Sequence, residues 1–220
     1  MSDFDVSPHD AYHRWVRLPL AKAFSWVLFT LFGPTLVFGR GKVPKKGGVL
    51  ILANHQADVD PILVQIACRR PIHFMAKSEL FEMGLLGKVI RKFRAFPVKR
   101  GEPDRTSLKH AINLLHAGEV VSVFPEGELS PTGEILDLKK GVSLMIRSGG
   151  VPVICVGLHN TRRMMPYGKL TPRPAFALIT ARWGEPKTFD KSSDADEIMA
   201  WVEAELIRLS GYPKVPSQPS

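Results

Sequence analysis

The sequence predicts an α/β domain: a single mostly parallel or mixed β-sheet flanked by helices, with an apolar helical hairpin at its N-terminus. Three segments are predicted to be strands: a continuous apolar run at 48–53 (GVLILA) and two largely apolar segments at 119–124 (EVVSVF) and 151–160 (VPVICVGLHN). Such runs are typical of parallel strands that are covered on both faces. Between them, apolar residues recur with helical spacing. This alternation predicts one α/β domain over 43–210.

The N-terminal segment, 1–42, is predicted to be a helical hairpin that lies in a membrane interface. Residues 23–38 form an uncharged run of 16 residues containing four phenylalanines and a tryptophan. The hairpin is placed over 15–38. A spanning helix needs roughly 20 apolar residues, and Gly33-Pro34 interrupts this run. A hairpin packed on the core and a short transmembrane span are the alternatives. Basic residues flank the run and favour an anionic membrane surface as partner: Arg14, Arg17, Lys22, Arg40 and Lys42.

Capping and turn signals divide the rest of the chain. Asp60-Pro61 supplies a cap and a first-turn proline for a helix to Cys68. Asp104 caps a helix that ends at Gly118, and a C-terminal helix runs from near Ser193 to Gly211. The remaining elements are strands at 72–76, 95–98 and 175–183 and helices at 80–93 and 138–147. The last ten residues, 211–220, are predicted to be a disordered tail.

The charge of the chain favours anionic partners. Thirty Lys and Arg stand against 21 Asp and Glu, a formal net charge of +9. The window 69–109 holds eleven of these cations and four acidic residues. Phosphorylated metabolites, acidic lipid surfaces and nucleic acid all fit such an excess. Nucleic acid is disfavoured, because the aromatic residues of this window fall in apolar core patterns rather than among the cations: Phe74, Phe81, Phe93 and Phe96.

The turn after the first buried strand carries a candidate base. His55 lies on the turn, and Asp60 begins the next helix five residues later. A turn of this length can fold the carboxylate back onto the imidazole, which fixes the tautomer and leaves the other ring nitrogen as a base. A surface histidine beside a capping aspartate is the alternative. A metal site of His55, Asp58 and Asp60 is a weak hypothesis, because no second His or Cys cluster completes it.

Two further strand ends carry polar residues. Glu126 and Gly127 follow the strand at 119–124, and Lys99, Arg100 and Gly101 follow the strand at 95–98. Ligands bind at the carboxyl ends of strands in α/β sheets, so His55 and Glu126 are expected on one rim. The two cations precede a helix N-terminus and suggest a phosphate site. A solvated turn and ordinary surface cations are the alternatives.

Together these segments resemble the glycerolipid acyltransferases, the family of 1-acyl-glycerol-3-phosphate acyltransferase. The motif from His55 to Asp60 in NHQADVD is similar to the HX4D motif of that family. FPVKRG (96–101) matches its phosphate-binding block, FPEG (124–127) its third block and VPVICVG (151–157) its fourth. The four blocks occur in the family's order over 48–157.

The resemblance implies acyl transfer from acyl-CoA or acyl-carrier protein to the free hydroxyl of a lysophospholipid, with lysophosphatidic acid as the leading acceptor. His55 would be the general base, oriented by Asp60. Lys99, Arg100 and Gly101 would hold the acceptor phosphate. Glu126 and Gly127 would bind its polar backbone. No metal and no cofactor beyond the acyl donor is expected. The enzyme is expected on the cytoplasmic face of the cell membrane, as a peripheral or monotopic protein.

Two positions of the third block depart from the family's pattern. The third block is commonly FPEGTRS, whereas Glu128 and Leu129 follow Gly127 here, so the arginine is missing. Lys77 and the pair Lys139-Lys140 are candidates to supply its charge. Alternatively the acceptor is a zwitterionic lysophospholipid or an amino-acid lipid, in which a cation could meet Glu128. A non-catalytic lipid- or nucleic-acid-binding module is the remaining alternative.

Two other classes are disfavoured. A serine hydrolase would carry a GxSxG elbow, and neither Ser122 nor Ser130 lies in one. The two cysteines, Cys68 and Cys155, have no CxxC spacing. They therefore indicate neither a disulfide framework nor a zinc knuckle, and they fit a reducing compartment.

Overall fold

The computed structural model describes residues 18–99, 104–169 and 171–216. Its helices are α1 (Leu18–Phe32), α2 (Asp60–Ala67), α3 (Gly84–Lys92), α4 (Arg105–His116), α5 (Gly141–Gly149), α6 (Thr161–Met164) and α7 (Ala195–Ser210). Its strands are β1 (Thr35–Phe38), β2 (Val49–Ala53), β3 (His73–Lys77), β4 (Phe96–Val98), β5 (Val120–Val123), β6 (Val153–His159) and β7 (Ile179–Trp183). Short 3-10 helices lie at Arg40–Lys42 and Ser78–Glu82.

The strands form one seven-stranded mixed sheet in the order β1-β7-β6-β2-β5-β3-β4. Strands β6, β2, β5, β3 and β4 are parallel to one another. Strand β7 pairs antiparallel with β6 and parallel with β1. The predicted mostly parallel or mixed sheet flanked by helices is therefore confirmed.

Helices cover the sheet on both faces, which explains the uninterrupted apolar runs. Side chains of successive strand residues point to opposite faces. Accordingly Ile51 of β2 packs in a cluster with residues of α1 and α2, whereas Leu50 and Leu52 pack in a second cluster with residues of α4, α5 and α7. All five residues of β2 are buried.

The direction of travel along the sheet decides which face each helix covers. Crossovers between parallel strands are almost always right-handed. The chain moves from β2 to β3 and on to β4 in one direction, so α2 and α3 lie on one face. It then returns through β5 to β6, and α4 and α5 lie on the other face, as their packing shows.

The second limb of the predicted N-terminal hairpin is a strand instead of a helix. Helix α1 ends at Phe32, and Thr35–Phe38 pairs with β7 as an edge strand of the sheet. Its residues, TLVF, suit a pleated edge, but a short apolar run reads alike as helix or strand. Residues 15–17 of the predicted hairpin lie outside the described residues. Among the helices that the structure describes, none has the length and apolar character that crossing a bilayer requires.

The C-terminal segment predicted to be disordered is instead attached to the domain over 211–216. The backbone N–H of Ile135 donates to the Pro213 carbonyl at 2.8 Å, and that of Val215 donates to the Ile135 carbonyl at 3.0 Å. The Lys214 ammonium lies 2.7 Å from the Glu203 carboxylate. These contacts tie the segment to α7 and to the loop before α5. Residues 217–220 lie outside the described residues.

Candidate active site

The turn between β2 and α2 brings His55 and Asp60 together. His55 Nδ1 lies 3.0 Å from Asp60 Oδ2. The same oxygen accepts hydrogen bonds from the backbone N–H of Gln56 at 2.6 Å and of Ala57 at 2.8 Å. Asp60 is fully buried and His55 is 7% exposed. Because the carboxylate engages Nδ1, Nε2 is the ring nitrogen that can take a proton from a substrate.

Glu126 holds the same turn from the end of β5. Its Oε1 accepts a hydrogen bond from the backbone N–H of His55 at 2.7 Å, and its Oε2 accepts one from Leu136 N–H at 2.9 Å. The side chain is fully buried. The resemblance implies that Glu126 binds the acceptor, whereas the structure places its carboxylate behind His55, with both oxygens on backbone groups. His55 and Glu126 share one rim of the sheet, as expected.

Burial raises the pKa of Glu126 to about 7. This effect of burial is larger than the opposite effect of the two backbone N–H donors, which favour the charged form and lower the pKa. The nearby carboxylates of Asp60 and Glu128 raise the pKa further. This carboxyl therefore changes its charge near neutral pH, directly behind the candidate base.

Replacement of Glu126 by glutamine is expected to change how stability depends on pH. The pKa of Glu126 rises from 4.5 to about 7 on folding, so the folded protein holds this proton more tightly than the unfolded chain. The contribution of this proton to the free energy of unfolding is fully present below pH 4.5 and is lost as pH rises to about 7. Relative to Glu126→Gln, the wild-type free energy of unfolding should fall by about 1–3 kcal/mol across this window. Urea unfolding at a series of pH values measures the difference.

The control for this measurement is Glu82→Gln, which changes an exposed carboxylate in the 3-10 helix after β3. It should keep the wild-type slope. Equal slopes for Glu126→Gln and the wild type would show that Glu126 does not carry the proton.

Two residues that the sequence analysis assigned no role complete the support of the turn. The His55 ring stacks on Phe124, with ring centroids 3.9 Å apart and planes inclined by 18°. The Asn54 amide donates to the Leu158 carbonyl at 3.0 Å and accepts from the Leu158 N–H at 2.7 Å, which ties the end of β2 to β6. A polar residue that directly follows a buried strand is the signal that could have identified Asn54.

A cavity of about 690 Å³ opens beside Phe124 and Gly127, within the usual volume range of small-molecule sites. Its wall is largely apolar and includes Met75, Val98, Leu108, Val123, Val142, Leu144 and Met145. Four cationic side chains also line it: Lys99, Arg105, Lys139 and Lys140. The combination suits a molecule with an apolar chain and an anionic group.

The structure brings some of the predicted binding residues to this cavity and leaves others outside. Lys99 and Gly127 line it, as does the pair Lys139-Lys140. Lys77 is not among the lining residues, and its ammonium lies 3.1 Å from Glu79. Arg100 and Gly101 lie outside the described residues. The sequence analysis missed Arg105, although its place directly after the cap Asp104 in the basic window was a usable signal.

The loop at Gly127 shows how the departure from FPEGTRS is accommodated. Gly127 has a φ of +74°, and a Cβ there would lie 2.9 Å from Lys139 Cε. Glycine therefore both makes the turn and leaves room for the lysine. Lys139 Nζ lies 3.9 Å from the Glu128 carboxylate. The Glu128 carboxylate thus faces Lys139, one of the cations that line the cavity.

The described residues contain no group of three or more His, Cys, Asp and Glu side chains that could hold a metal ion. Asp60 Oδ2 accepts hydrogen bonds from His55 and from two backbone N–H groups. The geometry of the turn accordingly fits an acid–base pair.

Comparisons with known proteins show which proteins the chain is similar to. The family model described as Acyltransferase matches residues 36–159. A 1-acyl-sn-glycerol-3-phosphate acyltransferase from Bacillus subtilis (strain 168) is 35% identical over 129 residues, which cover 58% of this chain and 64% of the relative. One from Chlamydomonas reinhardtii is 30% identical over 198 residues, 86% of this chain and 59% of the relative. The chain thus spans less than two thirds of the length of these curated relatives.

A solved structure shares the fold. The crystal structure of the 1-acyl-sn-glycerophosphate (LPA) acyltransferase PlsC from Thermotoga maritima matches with a TM-score of 0.74 and 30% sequence identity. The match covers 89% of this chain and 79% of that chain. The likeness therefore extends over most of the α/β domain.

Proposed function

Because the chain belongs to the acyltransferase family, we propose that it transfers a fatty acyl group from a thioester to the free hydroxyl of a lysophospholipid. The donor is acyl-CoA or acyl-carrier protein, and the leading acceptor is lysophosphatidic acid, which gives phosphatidic acid. One observation carries the proposal: the His55–Asp60 pair lies at the rim of the sheet, beside a cavity that joins an apolar wall to four cations. The names of the relatives support the same acceptor.

In the proposed reaction, His55 first accepts a proton and later donates it. Nε2 takes the proton of the acceptor hydroxyl as its oxygen attacks the thioester carbonyl carbon, and Asp60 stabilises the imidazolium that forms. The tetrahedral intermediate collapses with cleavage of the carbon–sulfur bond. The imidazolium then returns the proton to the leaving thiolate. The products are the acylated lipid and a free thiol, and no group of the protein is acylated.

The cavity accounts for the two chemical halves of the lipid substrates. Phosphate is held by charge-assisted hydrogen bonds from lysine and arginine, which Lys99, Arg105, Lys139 and Lys140 supply. An acyl chain gains free energy by leaving water for the apolar wall. Because Phe124 lines the cavity and stacks on the His55 ring, a lipid bound there lies close to the base.

The test is incubation of the purified chain with acyl-CoA and a panel of lysolipids, followed by measurement of thiol release. Release with lysophosphatidic acid and little with lysophosphatidylcholine supports the leading acceptor. Preference for a zwitterionic lysophospholipid or an amino-acid lipid would favour the alternative acceptor suggested by Glu128. Thiol release with none of them would overturn the proposal.

The Lys99→Ala variant is expected to raise KM for a phosphate-bearing acceptor by about 10-fold to 100-fold, with a smaller effect on KM for the acyl donor. A lost hydrogen bond to a charged group costs about 1.5–3 kcal/mol. Initial rates at varied acceptor and donor concentrations separate the two constants. The matched control is Lys77→Ala, which removes a lysine outside the cavity. Equal changes in both constants would mean that Lys99 serves the donor or the fold.

The same proposal places the reaction on an anionic membrane surface at the cytoplasmic face, with α1 as the docking element. Leu18 and Phe29 of α1 are buried against the domain, whereas Leu20, Phe24 and Leu31 are 67%, 67% and 73% exposed. An apolar outer face on a helix with basic neighbours suits the headgroup boundary of a bilayer. A lipid acceptor resides at that boundary, and a thioester donor arrives from the aqueous side.

A further inference from the structure

We propose that α3 is a second membrane-contacting element, so that the protein lies on an anionic bilayer through α1 and α3 together. The inference deepens the proposed function, on which it rests. Among the nine residues of α3, all described, Gly87 alone is buried. Leu85, Leu86 and Val89 are 79%, 41% and 43% exposed. This helix therefore presents to solvent the apolar side chains that an α/β helix ordinarily buries.

The packing of Gly87 explains why α3 keeps its side chains outward. A Cβ at this position would lie 2.4 Å from the Phe81 carbonyl oxygen, so the helix backbone rests directly on the 3-10 helix Ser78–Glu82. Contact through a glycine leaves Leu85, Leu86 and Val89 exposed. Met83, at the start of the helix, is also 45% exposed.

The charge of α3 complements an anionic surface. The helix carries Lys88, Arg91 and Lys92 and no acidic residue. Arg91 donates to the Phe81 carbonyl at 2.6 Å, while Lys88 and Lys92 are exposed. Leu85, Val89 and Lys92 share one helix face by their spacing. Apolar residues flanked by lysines on a short amphipathic helix are typical of interfacial helices, which anionic lipids attract.

Helix α3 lies on the same side of the sheet as α1. The right-handed crossover from β3 to β4 places α3 on the face that α2 covers, and α1 packs against that face as well. The opposite helix layer is different: within the described residues, α4 and α7 expose no large hydrophobic side chain, and α5 exposes Leu144. Among the helices described, exposed apolar side chains thus concentrate on one side of the sheet.

A lipid surface is the occupant that this arrangement favours. The exposed apolar residues belong to two elements on either side of α2, where Ile62 is also 45% exposed. A broad bilayer contacts such separated elements at once, and the lysines supply charge complementarity. Helix α2 begins at Asp60, so a bilayer on this layer lies next to the rim that carries His55.

The test uses the full chain with an environment-sensitive NBD fluorophore on Leu85→Cys. Both native cysteines are buried, so the label reacts at the new thiol. The matched control is Ala200→Cys, an exposed position on α7 in the opposite layer. With vesicles of phosphatidylcholine and phosphatidylglycerol, NBD emission should rise about twofold or more at residue 85 and stay unchanged at residue 200. Added salt should weaken the rise.

Four outcomes would overturn the inference. The labelled protein could fail to float with the vesicles, or it could float with unchanged emission at residue 85. If NBD emission at residue 85 rose with protein concentration in the absence of vesicles, a second copy of the chain would be the occupant. Protection of the label from iodide in the monomer without vesicles would mean that another part of the chain covers α3. Acyl transfer to a short-chain, monomeric lysolipid is measured on the same samples, and its absence would count against the proposed function alone.

Discussion

Replacement of His55 by alanine is expected to lower the rate of acyl transfer by about 10²–10⁴, the usual effect of removing a general base. The variant should keep its fold, because the backbone contacts of the turn remain: His55 N–H donates to Glu126, and the His55 carbonyl accepts from Ser130 N–H at 2.8 Å. Thiol release at saturating acyl-CoA and lysophosphatidic acid measures the rate. Circular dichroism and vesicle flotation check the fold and the docking.

His116→Ala is the matched control, because it removes an exposed histidine at the end of α4. It should leave the rate unchanged. If His55→Ala kept more than about a tenth of the wild-type rate, the base would lie elsewhere, and the function would have to be assigned to a different group.

The sequence predicted the rim of the site well, for reasons that are local. A buried parallel strand is largely apolar, so the polar residues that follow it mark the strand end. His55 and Glu126 were placed on one rim in this way, and the structure joins them by a hydrogen bond of 2.7 Å. The five-residue spacing to Asp60 likewise anticipated the contact of 3.0 Å with His55 Nδ1.

Features that depend on distant parts of the chain could not be predicted. The partner of Asn54 is Leu158, 104 residues away. The strand β1 forms because it can pair with the edge of β7. No local sequence pattern indicates this pairing. The inward orientation of Glu126 depends on the hydrogen bond that its carboxylate accepts from Leu136 N–H. Leu136 lies in a loop whose path the sequence does not specify. In each case a pairing between separated segments decides the structure.

Replacement of Asp60 by asparagine is expected to reduce kcat by about 10⁴, the effect seen when the orienting carboxylate of a triad is made neutral. Asp60 Oδ2 accepts from His55 and from the backbone N–H groups of Gln56 and Ala57. The amide oxygen of asparagine can occupy that position, since an amide nitrogen there would face three donors. The turn is then kept, and the charge that stabilises the imidazolium is lost.

The reason for choosing asparagine is that it separates the charge of Asp60 from its structural role. Preserved geometry predicts that KM for both substrates stays near the wild-type value while kcat falls, and steady-state kinetics measure the split. The matched control is Asp58→Asn, which neutralises an exposed carboxylate of the same turn and should retain activity. A fully active Asp60→Asn enzyme would exclude the proposed pair. Loss of activity in Asp58→Asn would instead favour the hypothesis of a metal site with His55, Asp58 and Asp60 as ligands.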